Sequence, residues 1–243
     1  MDARQDSSSS GYSERGQLTG KPGQPAGGSP GFSPSAGRLG LALSVVVAAV
    51  AFTLLFTGVV FDFWLQMTAS VLILCVLSYV FDPAGCREML RSASLPWPAV
   101  VLGGCLSAAA LYGVFYAGHF VSRTFAFSRS EVAAIYALKE GADPRLVAFL
   151  MAFVIGPGEE IFWRGYVQRT LAGRPGSQGL VLSVAAYGLV HLGSGSVTLI
   201  GAALVCGLFW GCLYQRFKSI WLNVISHVLW DIAVFLVWPF AAS

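Results

Sequence analysis

Long uncharged runs of apolar residues follow one another from residue 39 to residue 240. A helix needs about 20 mostly apolar residues to cross the hydrocarbon core of a bilayer. The runs predict seven membrane-spanning helices, with six to eight allowed because span boundaries are the hardest feature to place. The predicted spans are 39–61, 63–81, a stretch within 98–121, a stretch from 146 onward, 180–192, 197–214 and 220–240. The predicted fold class is all-α, a polytopic transmembrane helical bundle.

The first 38 residues have a different composition, dominated by Ser, Gly, Pro and Gln. Such a segment buries too little apolar surface to offset the backbone ordering entropy of about 1–2 kcal/mol per residue. The sequence therefore predicts a disordered Ser/Gly/Pro-rich tail at 1–38 and a transmembrane domain at 39–243.

The segment 130–139, between the third and fourth predicted spans, has a modest amphipathic pattern. It predicts a short helix at the membrane surface, capped by Ser130. Most Lys and Arg groups fall on one side of the membrane if the N-terminus is cytoplasmic, which is the orientation we expect. The basic residues that conflict with it are Arg123, Arg129, Lys139 and Arg145.

Composition excludes several classes of protein. Hydrophobic residues make up 56% of the chain and charged residues 11%, with a mean hydropathy of +0.68. Soluble domains carry about 25% charged residues, so we expect an integral membrane protein in contact with the lipid bilayer. A net charge of +3 supplies no basic stripe for nucleic acid. The small Ala/Gly-rich chain favours a bacterial inner membrane, and the oligomeric state is not indicated.

Six ionisable residues lie inside the predicted spans of the last hundred residues. They are Glu159, Glu160, Arg164, His191, His227 and Asp231. Each costs about 2.5–3.5 kcal/mol on membrane-insertion scales, so such residues are functional candidates. We expect them to face one another or a water-filled cavity. Pro157, just before the glutamates, removes a backbone hydrogen bond and predicts a kink with room for water and substrate.

Helical spacing separates the roles of these residues. Glu160 and Arg164 are four apart and predict an ion pair on one face. Glu159 is rotated by about 100° from Glu160, so it lacks that cation and is suited to act as a general base. His227 and Asp231 are also four apart, and a carboxylate there can fix the imidazole tautomer or stabilise imidazolium.

Three motifs occur in order, each in a separate predicted span: Glu-Glu-x-x-x-Arg at 159–164, aromatic-x-x-x-His at 187–191 and His-x-x-x-Asp at 227–231. This order resembles the CPBP family of intramembrane proteases, which groups type II CAAX prenyl endopeptidases with bacteriocin-processing and abortive-infection proteins. The resemblance covers 146–237, the protease-like core. It implies an endopeptidase that hydrolyses a peptide bond of a membrane-anchored protein or peptide.

The resemblance also implies a role for each motif residue. Glu159 would activate water and His191 would help to hold that water. His227 with Asp231 would form the side that stabilises the oxyanion. The residues that it implies as structural and electrostatic support are Glu160 and Arg164.

The chain departs from the family pattern at two positions. Tyr187 stands where the second motif usually has Phe, and its hydroxyl needs a partner. Asp231 stands where the prenyl-protein members have Asn. An ionised carboxylate cannot donate a hydrogen bond to an oxyanion. We therefore expect Asp231 mainly to orient His227.

A metal-dependent reaction is the alternative chemistry. Glu159, His191 and His227 could form a two-His-one-carboxylate site for a divalent metal such as Zn. The chain has no HExxH motif, and the resemblance favours a water activated by glutamate without metal. We therefore expect no cofactor.

Two other functions stay open at this stage. Buried Glu, Arg and His residues could line the path of a proton-coupled transporter, although no repeated half is visible in the sequence. The chain could also keep the site and act as a scaffold for a membrane partner. The sequence does not identify the substrate.

Overall fold

The computed structural model of the protein describes residues 34–58, 61–92, 94–173 and 177–240, and every regular element in these ranges is helical. The helices are α1 (Pro34–Thr57), α2 (Phe63–Phe81), α3 (Pro83–Arg91), α4 (Trp97–Ser122), α5 (Ala126–Ala137), α6 (Pro144–Leu171), α7 (Gln178–Ser194), α8 (Val197–Phe217) and α9 (Ile220–Val237). The all-α prediction is confirmed. The predicted tail lies mostly outside the described residues, and its last five residues form the start of α1.

The number of spans agrees with the prediction. Six of the described helices are long and apolar enough to cross a membrane, namely α1, α2, α4, α6, α8 and α9. The seventh, α7, is a shorter apolar helix at the position of the predicted fifth span. The protein is therefore an integral membrane protein built as a helical bundle of about seven spans, with α3 and α5 as shorter additional helices.

Helix α6 is irregular around the glutamate pair. An α-helical segment, Gly156–Glu160, is flanked by π-helical segments at Met151–Ile155 and Ile161–Gln168. Because Pro157 has no N–H, it cannot supply a helical hydrogen bond at this point. The predicted disruption therefore takes the form of widened turns, which occur frequently at functional sites.

Helix α2 packs directly against the backbone of α6 beside the glutamate pair. A Cβ atom at Gly158 would clash with Cγ1 of Val71, so a larger residue would require the Val71 side chain or α2 itself to shift. Sγ of Cys75 donates to the carbonyl oxygen of Gly158 at 3.6 Å. The small residue before Glu159 thus sets how closely the two helices approach.

The short helix predicted before the fourth span is present as α5, but the predicted cap is wrong. The helix begins at Ala126, a full turn earlier than expected, after a Phe125 that makes no side-chain cap. Ser130 therefore lies inside the helix, where its hydroxyl donates to the carbonyl oxygen of Phe127 at 2.8 Å.

Glu131 joins α5 to the first turn of α8. Its carboxylate accepts hydrogen bonds from the backbone N–H of Thr198 at 2.7 Å and of Val197 at 3.3 Å. The hydroxyl of Ser196 donates to the same carboxylate at 3.0 Å. Since a helix N-terminus leaves its first N–H groups without helical partners, Glu131 satisfies donors at the start of α8.

The Glu131 contact makes the attachment of α5 sensitive to acid. Hydrogen bonds from Thr198 hold the pKa of the Glu131 carboxyl below its ordinary value. A group with a lowered pKa stabilises the fold above its ordinary pKa, and this contribution is lost as the pH falls through the folded-state value. We expect deuterium exchange in α5 and the first turn of α8, corrected for intrinsic rates, to increase as the pH is lowered through the acidic range.

Glu131→Gln should produce the same faster exchange at neutral pH. We expect the contact between α5 and α8 to lose about 1 kcal/mol of stabilisation, which is typical of a helix N-terminal contact. Exposed Glu140 offers the matched control, and Glu140→Gln should leave exchange unchanged. Equal protection of α5 in the Glu131 variant and the control would contradict this account.

Candidate active site

Glu160 lies at the centre of a buried polar network and has no exposed surface. Its Oε1 accepts hydrogen bonds from Nη1 of Arg164 at 3.0 Å and from Nδ1 of His227 at 2.9 Å. Its Oε2 accepts from Nδ2 of Asn223 at 3.0 Å. The predicted ion pair with Arg164 is present, and two donors from α9 complete the coordination of the carboxylate.

Arg164 is held between α6, α7 and α8. The side chain is 2% exposed, and Nη2 donates to the carbonyl oxygen of Cys206 at 3.4 Å. Its guanidinium carbon lies 5.0 Å from the ring centre of Tyr187 and 5.5 Å from that of Trp210. These aromatic faces stabilise a cation in a desolvated position, so Arg164 contributes to the packing of three helices.

His227 lies between two carboxylates. Nδ1 donates to Glu160, and Nε2 lies 3.5 Å from Oδ2 of Asp231, an ion-pair contact longer than an ordinary hydrogen bond. The imidazole stacks on Trp210 with ring centres 3.8 Å apart. An imidazole whose two nitrogens both face carboxylate oxygens is favoured in its doubly protonated form. The sequence predicts the contact with Asp231 but not the contact with Glu160.

Glu159 points away from this network, as the rotation of about 100° between neighbouring residues requires. Its side chain is 6% exposed, and Oε2 accepts a hydrogen bond from the hydroxyl of Tyr187 at 2.9 Å. Within the described residues the carboxylate forms no ion pair with Arg or Lys. The two adjacent glutamates therefore have different environments: Glu160 is paired with cations, and Glu159 is held by a neutral phenol.

His191 lies in the 3₁₀-helical segment Val190–Ser194 that ends α7. Its Nδ1 is 2.7 Å from the carbonyl oxygen of Tyr187. A carbonyl oxygen only accepts hydrogen bonds, so Nδ1 carries the proton and Nε2 is left for a different partner. The rings of Phe52 and Phe56 on α1 lie 5.3 and 5.8 Å from the imidazole and fix its plane.

The six predicted site residues differ in whether they line a cavity of about 160 Å³. Four of them line it: Glu159, His191, His227 and Asp231. Glu160 and Arg164 lie behind the wall. A water molecule occupies about 30 Å³ in the liquid, so the cavity has room for several waters. Ile135 and Leu138, at the end of α5, form part of the lining.

Sequence reasoning missed one residue of the network. Asn223 is fully buried, one turn before His227, and its Nδ2 also donates to the carbonyl oxygen of Trp210 at 2.8 Å. The sequence does contain a signal for Asn223, because it is a polar residue inside an apolar span and lies four positions before His227. Its spacing places it on the same helix face as His227.

Removing the amide of Asn223 should destabilise the protein. We expect Asn223→Leu, of similar volume, to cost about 1.5–3 kcal/mol, the range for a hydrogen bond to a charged group. The change leaves Oε2 of buried Glu160 without its donor. Thermal unfolding of the purified protein in nanodiscs measures the effect.

Gln168 provides the matched control. It is a second buried amide, and its Nε2 donates to the neutral carbonyl oxygen of Gly211 at 2.8 Å. Gln168→Leu should lower the unfolding temperature less, because a hydrogen bond to a neutral acceptor contributes only about 0.5–1.5 kcal/mol. An equal or larger loss in the Gln168 variant would contradict the special position of Asn223.

The three residues of the alternative metal set are not gathered into one cluster in the described part of the chain. Glu159, His191 and His227 all reach the cavity, but no three His, Cys, Asp or Glu residues in the described part of the chain are placed to hold a metal ion. Both nitrogens of His227 face carboxylates. A ring nitrogen that donates to a carboxylate cannot also bind a metal, so Nε2 is the nitrogen of His227 that is open to another partner.

One comparison with known proteins gives a match, and it lies over the segment that carries the three motifs. Residues 141–233 match the family described as Rce1-like, type II CAAX prenyl endopeptidase Rce1-like. No curated protein and no solved structure matches the chain. The match begins just before α6, ends within α9 and includes all six predicted site residues, and its description supports a CAAX-type intramembrane protease in general. The segment that carries the three motifs therefore matches the Rce1-like family of type II CAAX prenyl endopeptidases, in agreement with the resemblance that the motifs show.

Proposed function

We propose that the protein is an intramembrane endopeptidase in which Glu159 activates water to hydrolyse a peptide bond of a membrane-anchored substrate. The observation that carries this proposal is the cavity lined by Glu159, His191, His227 and Asp231. The cavity is lined both by a carboxylate that is not paired with a cation, Glu159, and by a histidine that is held between two carboxylates, His227. These are the groups that a water-activating base and an oxyanion-stabilising cation require.

Glu159 has the environment of a general base. Tyr187 occupies Oε2, while Oε1 accepts no hydrogen bond from the described residues. Oε1 can therefore accept a proton from a water molecule in the cavity. His191 has its Nδ1 proton directed to a carbonyl oxygen, so its Nε2 lone pair can accept a hydrogen bond from the same water.

His227 has the environment of an electrostatic stabiliser. In the reaction, the water oxygen attacks the carbonyl carbon of the scissile bond while its proton passes to Glu159. The resulting tetrahedral oxyanion is stabilised by the imidazolium of His227. Glu159 then returns the proton to the leaving amine as the carbon–nitrogen bond breaks. Glu160 and Asp231 hold the imidazolium in place and are not consumed.

The surroundings of the cavity suit a substrate with a hydrocarbon anchor. An apolar cleft of about 300 Å³ lies between α4, α5, α8 and α9. It shares wall residues with the catalytic cavity, among them Ile135, Leu199 and Trp230. A lipid chain in this cleft would place the adjoining peptide beside Glu159. We propose a lipid-anchored peptide as the substrate class, consistent with the description of the matched family.

Proteolysis by the purified protein in nanodiscs tests the proposal. A library of membrane-anchored peptides with and without a lipid chain is incubated with the wild type and with Glu159→Gln, each with and without a strong chelator. Mass spectrometry reads the products. We expect cleavage of lipid-bearing peptides that is lost in the variant and unaffected by the chelator. Cleavage abolished by the chelator would overturn the metal-free mechanism, and equal product in both proteins would overturn the role of Glu159.

A further inference from the structure

Tyr187 contacts both groups that are proposed to hold the reactive water. Its hydroxyl donates to Oε2 of Glu159 at 2.9 Å, and its carbonyl oxygen accepts from Nδ1 of His191 at 2.7 Å. We propose that Tyr187 is a positioning residue for the hydrolysis: it directs Oε1 of Glu159 and Nε2 of His191 towards the same water. This inference rests on the proposed function.

The ring of Tyr187 is fixed by its neighbours. It is 6% exposed, and its centre lies 5.1 Å from that of Trp163 in an edge-to-face arrangement. On α8, a Cβ atom at Gly207 would come within 3.1 Å of Cδ1 of Tyr187, so the helix backbone packs closely against the ring. The guanidinium of Arg164 lies 5.0 Å from the ring centre. Because these neighbours pack around the ring, they hold its hydroxyl beside Glu159.

A phenol is a suitable partner for a carboxylate that must act as a base. The terminal torsion of a glutamate is broad, so an unheld carboxylate samples many orientations. A hydrogen bond from an arginine would restrict it but would also pair its charge, as Arg164 does for Glu160. A neutral hydroxyl restricts the torsion without forming an ion pair. Phenylalanine, which the family usually has here, would supply the ring without this restraint.

The expected effect of Tyr187→Phe is on kcat. The variant keeps the ring and its packing and removes only the hydroxyl. Misplacement of a reacting group by about 1 Å can lower a rate about 100-fold, so we expect kcat for peptide cleavage to fall by about 10- to 100-fold, with KM unchanged. In a Glu159→Gln background the same change should have no further effect, because the positioned base is already absent.

Tyr166→Phe is the matched control. Tyr166 is a buried tyrosine of α6 that does not line the catalytic cavity. The kcat and KM of the Tyr166→Phe variant should equal those of the wild type. Infrared difference spectroscopy gives a readout that does not depend on turnover. The carboxylate stretch that disappears in Glu159→Gln should shift in Tyr187→Phe and stay in place in Tyr166→Phe.

The outcomes separate the two proposals. Loss of cleavage in Glu159→Gln together with a wild-type kcat in Tyr187→Phe would overturn the positioning role and leave the proposed function standing. Full cleavage by Glu159→Gln would overturn the proposed function. An unshifted carboxylate band in Tyr187→Phe would overturn the positioning role whether or not a substrate had been found.

Discussion

Glu159→Gln is expected to lower kcat/KM for peptide cleavage by about 1,000-fold or more while the protein stays folded. The amide is close in shape to the carboxylate, and its oxygen can still accept the hydrogen bond from Tyr187. It cannot take a proton from water, and general base catalysis contributes about 10²–10⁴-fold. Because Glu159 lies outside the ion-pair network, the unfolding temperature should remain within a few degrees of the wild-type value.

Initial rates in nanodiscs measure this effect alongside thermal unfolding of the same samples. Glu88→Gln, an identical change at an exposed position on α3, is the matched control and should retain the wild-type rate. If folded Glu159→Gln cleaves at a rate within tenfold of the wild-type rate, the general base is a group other than Glu159.

Glu160→Gln, one position away, is expected to have the opposite result, a severe loss of stability. Two buried cations, Arg164 and His227, would lose the carboxylate that both contact. Removing one partner of a buried ion pair costs about 3–5 kcal/mol because a charge is left uncompensated. We expect a large decrease in unfolding temperature and a low yield of monodisperse protein, both measurable in detergent before reconstitution.

A second substitution tests the origin of this loss. Glu160→Gln combined with Arg164→Met removes one uncompensated cation, so part of the stability should return. The two changes should therefore be strongly non-additive. If Glu160→Gln unfolds at the same temperature as Glu159→Gln, the buried network does not hold α6 and α9 together.

The relations within single helices were predictable from the sequence. The uncharged runs predicted the helices, and four-residue spacing predicted the Glu160–Arg164 and His227–Asp231 contacts that the structure contains. The rotation between adjacent residues predicted that Glu159 lacks the arginine. These predictions succeed because α-helical geometry fixes which residues share a face.

The relations between helices were not predictable in the same way. His227 contacts Glu160 across 67 residues, and Asn223 contacts it across 63. Periodicity shows which face of a helix is polar but not which helix it meets. The π-helical segments of α6 were also missed, because the apolar pattern assumes a regular 3.6-residue repeat. The sequence shows that the hydroxyl of Tyr187 needs a partner, and only the packing of α7 against α6 identifies Glu159 as that partner.

The order of the residues along the chain has a consequence for biosynthesis. Glu160 and Arg164 enter the membrane with α6, whereas the other two donors to Glu160 belong to α9, the last described helix. A nascent chain that ends before α9 holds the carboxylate and one arginine but has neither the imidazole nor the asparagine amide. The His227 side of the cavity is therefore completed only when α9 has been synthesised, and a protein truncated before α9 would leave the Glu160 carboxylate in the membrane without two of its three donors.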